Sequence, residues 1–160
     1  MKNSTSMKIG VIGVGHLGNF HLIQLSNISE ISVSGLYDID LERAEKMSRD
    51  HNIPSFSSLE SLLDSCDAVS VVTPTSSHYK ITDQALDAGC HVFIEKPITD
   101  NLSHAEALIA KAAEVNKIIQ VGHIERFNPG FMALKKTTMT PRFIESHRLA
   151  PYNLRGNDVP

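Results

Sequence analysis

The sequence predicts an α/β protein built on a doubly wound parallel sheet, followed by the truncated start of a second α+β domain. Three observations carry that expectation. Apolar, β-rich runs alternate with helical stretches along most of the chain, the pattern of successive βαβ units. Runs such as Ile9-Gly10-Val11-Ile12 and Val69-Ser70-Val71-Val72 are nearly continuous in apolar side chains, as strands covered on both faces must be. A glycine-rich turn joins the first of these runs to the first helical stretch.

Taken in order, the first six residues read as an unordered leader, with Met7 an alternative start. Strands are expected at Lys8–Val14, Ile31–Tyr37, Ala68–Val72, His91–Ile94 and Ile118–Gly122. Helices are expected at Leu17–Asn27, Leu41–His51, Leu59–Ser65, His78–Ala88 and His104–Asn116. Ser57 with Glu60, and Ser103 with Glu106, have capping-box spacing, in which each side chain satisfies an otherwise unpaired backbone N–H. Gly89 stands where a left-handed helix terminus is expected. Leu102, Ala105, Leu108, Ile109 and Ala112 form a stripe at helical spacing, read as the face packed on the sheet. The character changes after about residue 124. Asn128-Pro129-Gly130 opens another helix, with proline in its tolerated first turn. Arg142–Leu149 reads as a strand, and Pro151–Pro160 is turn-rich. The expected domains are therefore 7–124, which binds a dinucleotide, and 125–160, the incomplete beginning of a second.

Composition narrows the function classes. A length of 160 residues suits one compact domain, or one domain with a fragment of another. A net charge of −3 and a pI near 6.2 argue against a nucleic-acid partner, which normally calls for a basic stripe. Charged residues at 21% and a mean hydropathy of −0.11 exclude a disordered chain. No apolar run reaches the ~18 residues of a membrane span, and no secretory leader is evident. Cys66 and Cys90 make neither a disulfide framework nor a zinc spacing, so no metal is expected and a reducing cytoplasm fits both thiols.

The glycine turn is Gly13-Val14-Gly15-His16-Leu17-Gly18, a G-x-G-x-x-G sequence between a strand and a helix, which is the context that gives this motif meaning. Gly13 permits the tight turn, Gly15 lets a pyrophosphate approach the backbone, and Gly18 allows close packing, with His16 and Leu17 beside the phosphates. The helix N-terminus adds free N–H donors and partial positive charge. The next strand ends at Asp38, 20 residues beyond Gly18, where a ribose-binding carboxylate belongs in a Rossmann fold. An acid there accepts from both ribose hydroxyls and repels a 2′-phosphate, favouring NAD over NADP. Arg43 stands close by as a phosphate contact, a lid over adenine or a solvated helix residue, and Asp40 is a candidate helix cap.

Three more pieces follow predicted strands: Thr73-Pro74-Thr75, Glu95-Lys96-Pro97, and Gly122-His123-Ile124-Glu125-Arg126-Phe127. With the glycine motif, their order resembles the glucose–fructose oxidoreductase / inositol dehydrogenase / MocA-type (Gfo/Idh/MocA) family over essentially the whole chain from Met7. The stretch Val121–Pro129 and the later Arg155–Pro160 look most like its nucleotide-sugar 3-dehydrogenase branch. The resemblance implies that Lys96 contacts the substrate hydroxyl and assists proton transfer, work for which partial burial can tune a lysine. It implies that Glu95 lies near the nicotinamide ribose and that Thr73, Pro74, Thr75 and His78 line the nicotinamide side, with a helix first-turn role open for His78. It also implies an unusual Lys96–Pro97 peptide bond. Arg126 is read as a substrate or cofactor contact, or as one half of an interdomain salt bridge.

The family's acid/base histidine lies in an Asp-x-x-x-His segment after the stretch that Arg155–Pro160 matches, beyond these 160 residues. None of the eight histidines present replaces it; His16 and His21, five apart on one helix, do not share a metal-binding face. What the resemblance implies is the cofactor half of an NAD-dependent dehydrogenase acting on a secondary alcohol of a sugar or nucleotide sugar. Such an enzyme is expected to be cytoplasmic and homo-oligomeric through its C-terminal domain. The competing expectation is a non-catalytic NAD(P)-binding or sensing module. An Asp-x-x-x-His beyond residue 160 would favour the enzyme.

Overall fold

The structure, a computed structural model, describes residues 6–135, 140–147 and 149. They fall into two compact units, divided after Gly122. The first is a five-stranded parallel sheet of β1 (Met7–Ile12), β2 (Ile31–Tyr37), β3 (Ala68–Val71), β4 (His91–Ile94) and β5 (Ile119–Val121), in the order β2-β1-β3-β4-β5. The connections carry α1 (His16–Ser26), α2 (Leu41–His51), α3 (Leu59–Leu63), α4 (Thr75–Asp87) and α5 (Leu102–Glu114).

Strand alternation sends neighbouring side chains to opposite faces, and both faces are covered. Val11 packs with Leu22 of α1, Leu36 and Ala44 of α2. Ile12, next in sequence, packs with Leu62 of α3, Leu86 of α4 and Leu108 of α5. Each of these buried leucines contributes roughly 1.5–3 kcal/mol relative to exposure. The chain reverses direction across the sheet between β1 and β3, leaving a crevice at their carboxyl ends, the usual ligand position in such sheets.

Several local expectations shift. β1 ends at Ile12 because Gly13 turns away at φ +85°, and β3 and β5 are likewise shorter than expected. α3 is capped by Ser58, whose hydroxyl accepts from the Ser61 amide, and α5 by Asn101, which accepts from the His104 amide, so neither Ser57 nor Ser103 is the cap. Asp40 does cap α2, accepting from the Arg43 amide, and Gly89 is left-handed at φ +78°. On α5, Ala105, Leu108 and Ala112 are buried, but Leu102 is 74% and Ile109 60% exposed. This helix packs chiefly beside α4, and only part of the stripe joins the buried cluster.

The second unit, taken by itself, holds a 3-10 turn at Ile124–Phe127 and α6 (Pro129–Lys135), opened by proline as expected. Asn128 joins the two, donating to Glu125 and accepting from the Gly130 amide. Of the expected strand Arg142–Leu149, the described residues 142–147 and 149 are not in a strand; alternation supplies a tendency, and only a neighbouring strand turns it into a ladder. Pro151–Pro160 lies outside the described residues.

Candidate functional site

The glycine loop is anchored from beneath. The Gly13 amide donates to the Tyr37 carbonyl at 2.8 Å, and the Val14 amide donates to Asp38 Oδ2 at 2.8 Å. The three glycines do different work. A Cβ on Gly13 would lie 2.8 Å from both Thr73 and the Val72 carbonyl, and one on Gly18 would land on the Gly13 carbonyl oxygen. A Cβ on Gly15 would meet nothing within 4 Å. That open face belongs to the residue preceding α1, where no side chain caps the helix. The first-turn amides therefore remain available to an anion, with His16 and Leu17 exposed beside them.

Asp38 is only 5% exposed. Besides Val14 it accepts from the Asp40 amide at 2.9 Å, and Arg43 reaches its Oδ1 at 3.2 Å and Asp40 at 2.9 Å. A carboxylate has about four acceptor positions, so Oδ2 keeps capacity for a ligand hydroxyl. Arg43 is thus ion-paired as well as partly exposed. A groove of about 760 Å³ runs from Val14, Gly15 and Asn19 to Asp40 and Arg43, between the loop and α2.

Across the carboxyl ends of β3 and β4, Thr73 takes a hydrogen bond from Ser77, Pro74 is exposed, and Thr75 is buried as the first residue of α4. Glu95 is largely buried and its Oε2 accepts from the Lys96 amide. Lys96 is exposed rather than partly buried as expected, on the side before a cis bond to Pro97. His78 takes the helix first-turn place left open for it rather than a place on the cleft wall. It is 1% exposed, with Nδ1 2.9 Å from the Pro97 carbonyl and Nε2 2.9 Å from the Thr73 carbonyl, because α4 begins three residues earlier than expected and turns it inward. Arg126 is exposed in the second unit. Among the described residues no group of His, Cys, Asp or Glu side chains is arranged to hold a metal ion, and no helix is long and apolar enough to cross a membrane. Burial pushes the Cys90 thiol up to about 11 and raises Cys66 as well.

Sequence reasoning missed His21, whose ring lies between Ser70 and Glu95. The available signal was its place one residue before buried Leu22, on the flank of the α1 face that meets the sheet.

A doubly wound sheet with a braced glycine loop and a buried acid ending β2 defines a dinucleotide-binding Rossmann protein. The family model for the Gfo/Idh/MocA oxidoreductases, described as an oxidoreductase family with an NAD-binding Rossmann fold, matches residues 7–123, and the chain belongs to this family. It is 41% identical over 154 residues to a UDP-N-acetylglucosamine 3-dehydrogenase of Acidithiobacillus ferrooxidans, covering 96% of this chain and 49% of that protein. It is 36% identical over 137 residues to an inositol 2-dehydrogenase/D-chiro-inositol 3-dehydrogenase of Lacticaseibacillus casei, covering 81% and 39%. The solved A. ferrooxidans enzyme superposes with a TM-score of 0.78 at 41% identity over 82% of this chain and 43% of its own. The chain thus spans about half the length of the curated relatives it matches.

Proposed function

We propose that these residues form the cofactor-binding part of a cytoplasmic, homo-oligomeric NAD-dependent dehydrogenase that oxidises a secondary alcohol of a nucleotide sugar or related sugar. The carrying observation is the contrast within the glycine loop: Gly13 and Gly18 are closed by the protein itself, while Gly15 faces open space at an uncapped helix start. The nucleotide-sugar class is supported by the name of the A. ferrooxidans relative.

In this reading the amides at the start of α1 hold the pyrophosphate, and Asp38 accepts from the adenosine ribose. NAD is preferred because the Asp38–Asp40 pair opposes a 2′-phosphate, while Arg43, already paired to both acids, forms the wall of the adenosine groove. Glu95 faces the nicotinamide ribose, with Thr73, Pro74 and Thr75 shaping that side. Bound NAD supplies the hydride acceptor. Lys96 contributes a cationic donor at the substrate hydroxyl. Residues 7–124 form the nucleotide domain, and 125–160 open the one that completes the substrate site.

The test is calorimetric titration with NAD and NADP, beside NADH formation with UDP-N-acetylglucosamine, on the 160 residues and on any longer product of the reading frame. NAD binding by both, with turnover only in a product carrying the Asp-x-x-x-His segment, is expected. Absence of NAD binding would overturn the proposal, and comparable turnover by both would return the acid/base to the first 160 residues.

A further inference from the structure

We propose that His21 is the positioning residue for Glu95, fixing that carboxylate for the nicotinamide end of the cofactor; the inference rests on the dinucleotide reading above. Its basis is strand periodicity. Ser70 and Phe93 are register partners on β3 and β4, and Glu95, two residues beyond Phe93, shares their face. The ladder continues to Glu95, whose amide donates to the Val71 carbonyl at 3.0 Å, so its backbone is set by the sheet. That face lies beneath α1. His21 comes down from the helix with Nδ1 2.8 Å from Ser70 Oγ and Nε2 3.3 Å from Glu95 Oε1, its ring tilted against Phe93 at 5.7 Å between centroids.

The polarity of the chain follows from donor arithmetic. The Glu95 carboxylate can only accept, so Nε2 carries the imidazole proton, and in the neutral ring Nδ1 is then the acceptor for the Ser70 hydroxyl. Ser70 is 2% exposed, at a position flanked by Val69 and Val71 where an apolar side chain would pack without needing a partner. A buried hydroxyl there is balanced by its hydrogen bond to Nδ1, and it can donate to the ring in the tautomer that serves Glu95. On the other side, a Cβ at Gly122 would come within 3.0 Å of Glu95 Oε1 and 3.2 Å of Phe93, so glycine leaves the carboxylate its room. With Oε1 on His21 and Oε2 on the Lys96 amide, Glu95 is restrained at both oxygens yet retains acceptor positions for a ribose hydroxyl.

The experiment measures dissociation constants for NAD and for ADP, which lacks the nicotinamide half, on wild type, His21→Phe, His21→Gln, Glu95→Gln and His21→Phe/Glu95→Gln. Phenylalanine keeps the ring packing, and glutamine keeps an N–H donor. His21→Phe is expected to weaken NAD about tenfold with ADP unchanged, His21→Gln to recover most of the loss, and the double variant to lose no more than Glu95→Gln alone. Retained ADP affinity also reports that each variant is folded. Unchanged NAD affinity in His21→Phe, additive losses, or parallel loss of ADP would overturn the positioning role while leaving the cofactor reading intact. No NAD binding by the wild type would overturn both. Imidazole ¹⁵N shifts give a reading independent of ligand: the Nε2–H tautomer is expected, and an Nδ1–H tautomer would overturn the proposal.

Discussion

Asp38 holds the amide of Val14 at 2.8 Å across the gap between the second strand and the glycine loop. The same carboxylate that a ribose would meet is therefore also the brace that keeps the loop in place. Its second oxygen is engaged by the Asp40 amide and by Arg43, so the acid is oriented before any ligand arrives. Preorganisation of this kind avoids part of the ordering cost of binding.

Asp38→Ala should consequently be damaging in two ways. Removing the carboxylate leaves the buried Val14 N–H unpaired, at a cost of about 1–3 kcal/mol, measurable by urea denaturation. It should also weaken NAD more than NADP, since the acid that opposes a 2′-phosphate is gone and Arg43 loses a partner. Paired titrations with both nucleotides check this, and a wild type that prefers NADP would contradict the reading of β2.

Two substitutions in the loop should separate folding from binding. A Cβ at Gly15 has no protein atom within 4 Å, so Gly15→Val should leave thermal stability near wild type while lowering NAD affinity by at least ~100-fold through the lost backbone approach. Gly18→Ala drives its methyl into the Gly13 carbonyl and should cost at least ~3 kcal/mol of stability. Circular dichroism melts and NAD titration of the two proteins side by side distinguish the effects.

His78→Ala is expected to lower stability by about 2 kcal/mol, because the single N–H of the neutral ring is the buried partner of one of the two loop carbonyls it faces, those of Thr73 and Pro97. NAD affinity should fall with it, since both loops border the cleft. Stability unchanged in denaturant titration would mean that neither carbonyl depends on the ring.

Alkaline pH should destabilise the fold through Cys90. Burial raises its thiol from 9.0 in the unfolded chain to about 11 in the folded one. The contribution is fully present below pH 9 and is lost as pH rises toward 11, because the unfolded state releases the proton first. Cys66, raised by burial too, acts in the same direction. Urea midpoints followed across this range should fall less steeply in Cys90→Ala than in wild type.

What was legible in the sequence is what local chemistry determines. The glycine loop and Asp38 could be read because a tight turn, an open approach and an acid at a strand end each demand particular residue types. The caps of α3 and α5 were missed by one and two residues because serine and asparagine compete as N-caps within the same few positions. His78 and Lys96 exchanged their expected exposures for a related reason: three extra residues at the start of α4 rotate one inward, and nothing local buries the other. The His21–Ser70–Glu95 chain joins residues 49 and 25 positions apart in sequence, so only the assembled sheet brings it together.

The place of β3 between β1 and β4 has a consequence in time. All four of its residues are buried, and it is bonded to a strand on each side, so its amides have no local route to solvent. Their deuterium uptake should proceed only through opening of the whole sheet, whereas three-residue β5 at the margin should exchange through fraying. The slowest amides of the molecule would then be a direct clock for global unfolding, positioned one strand away from the loop whose ligand they would report.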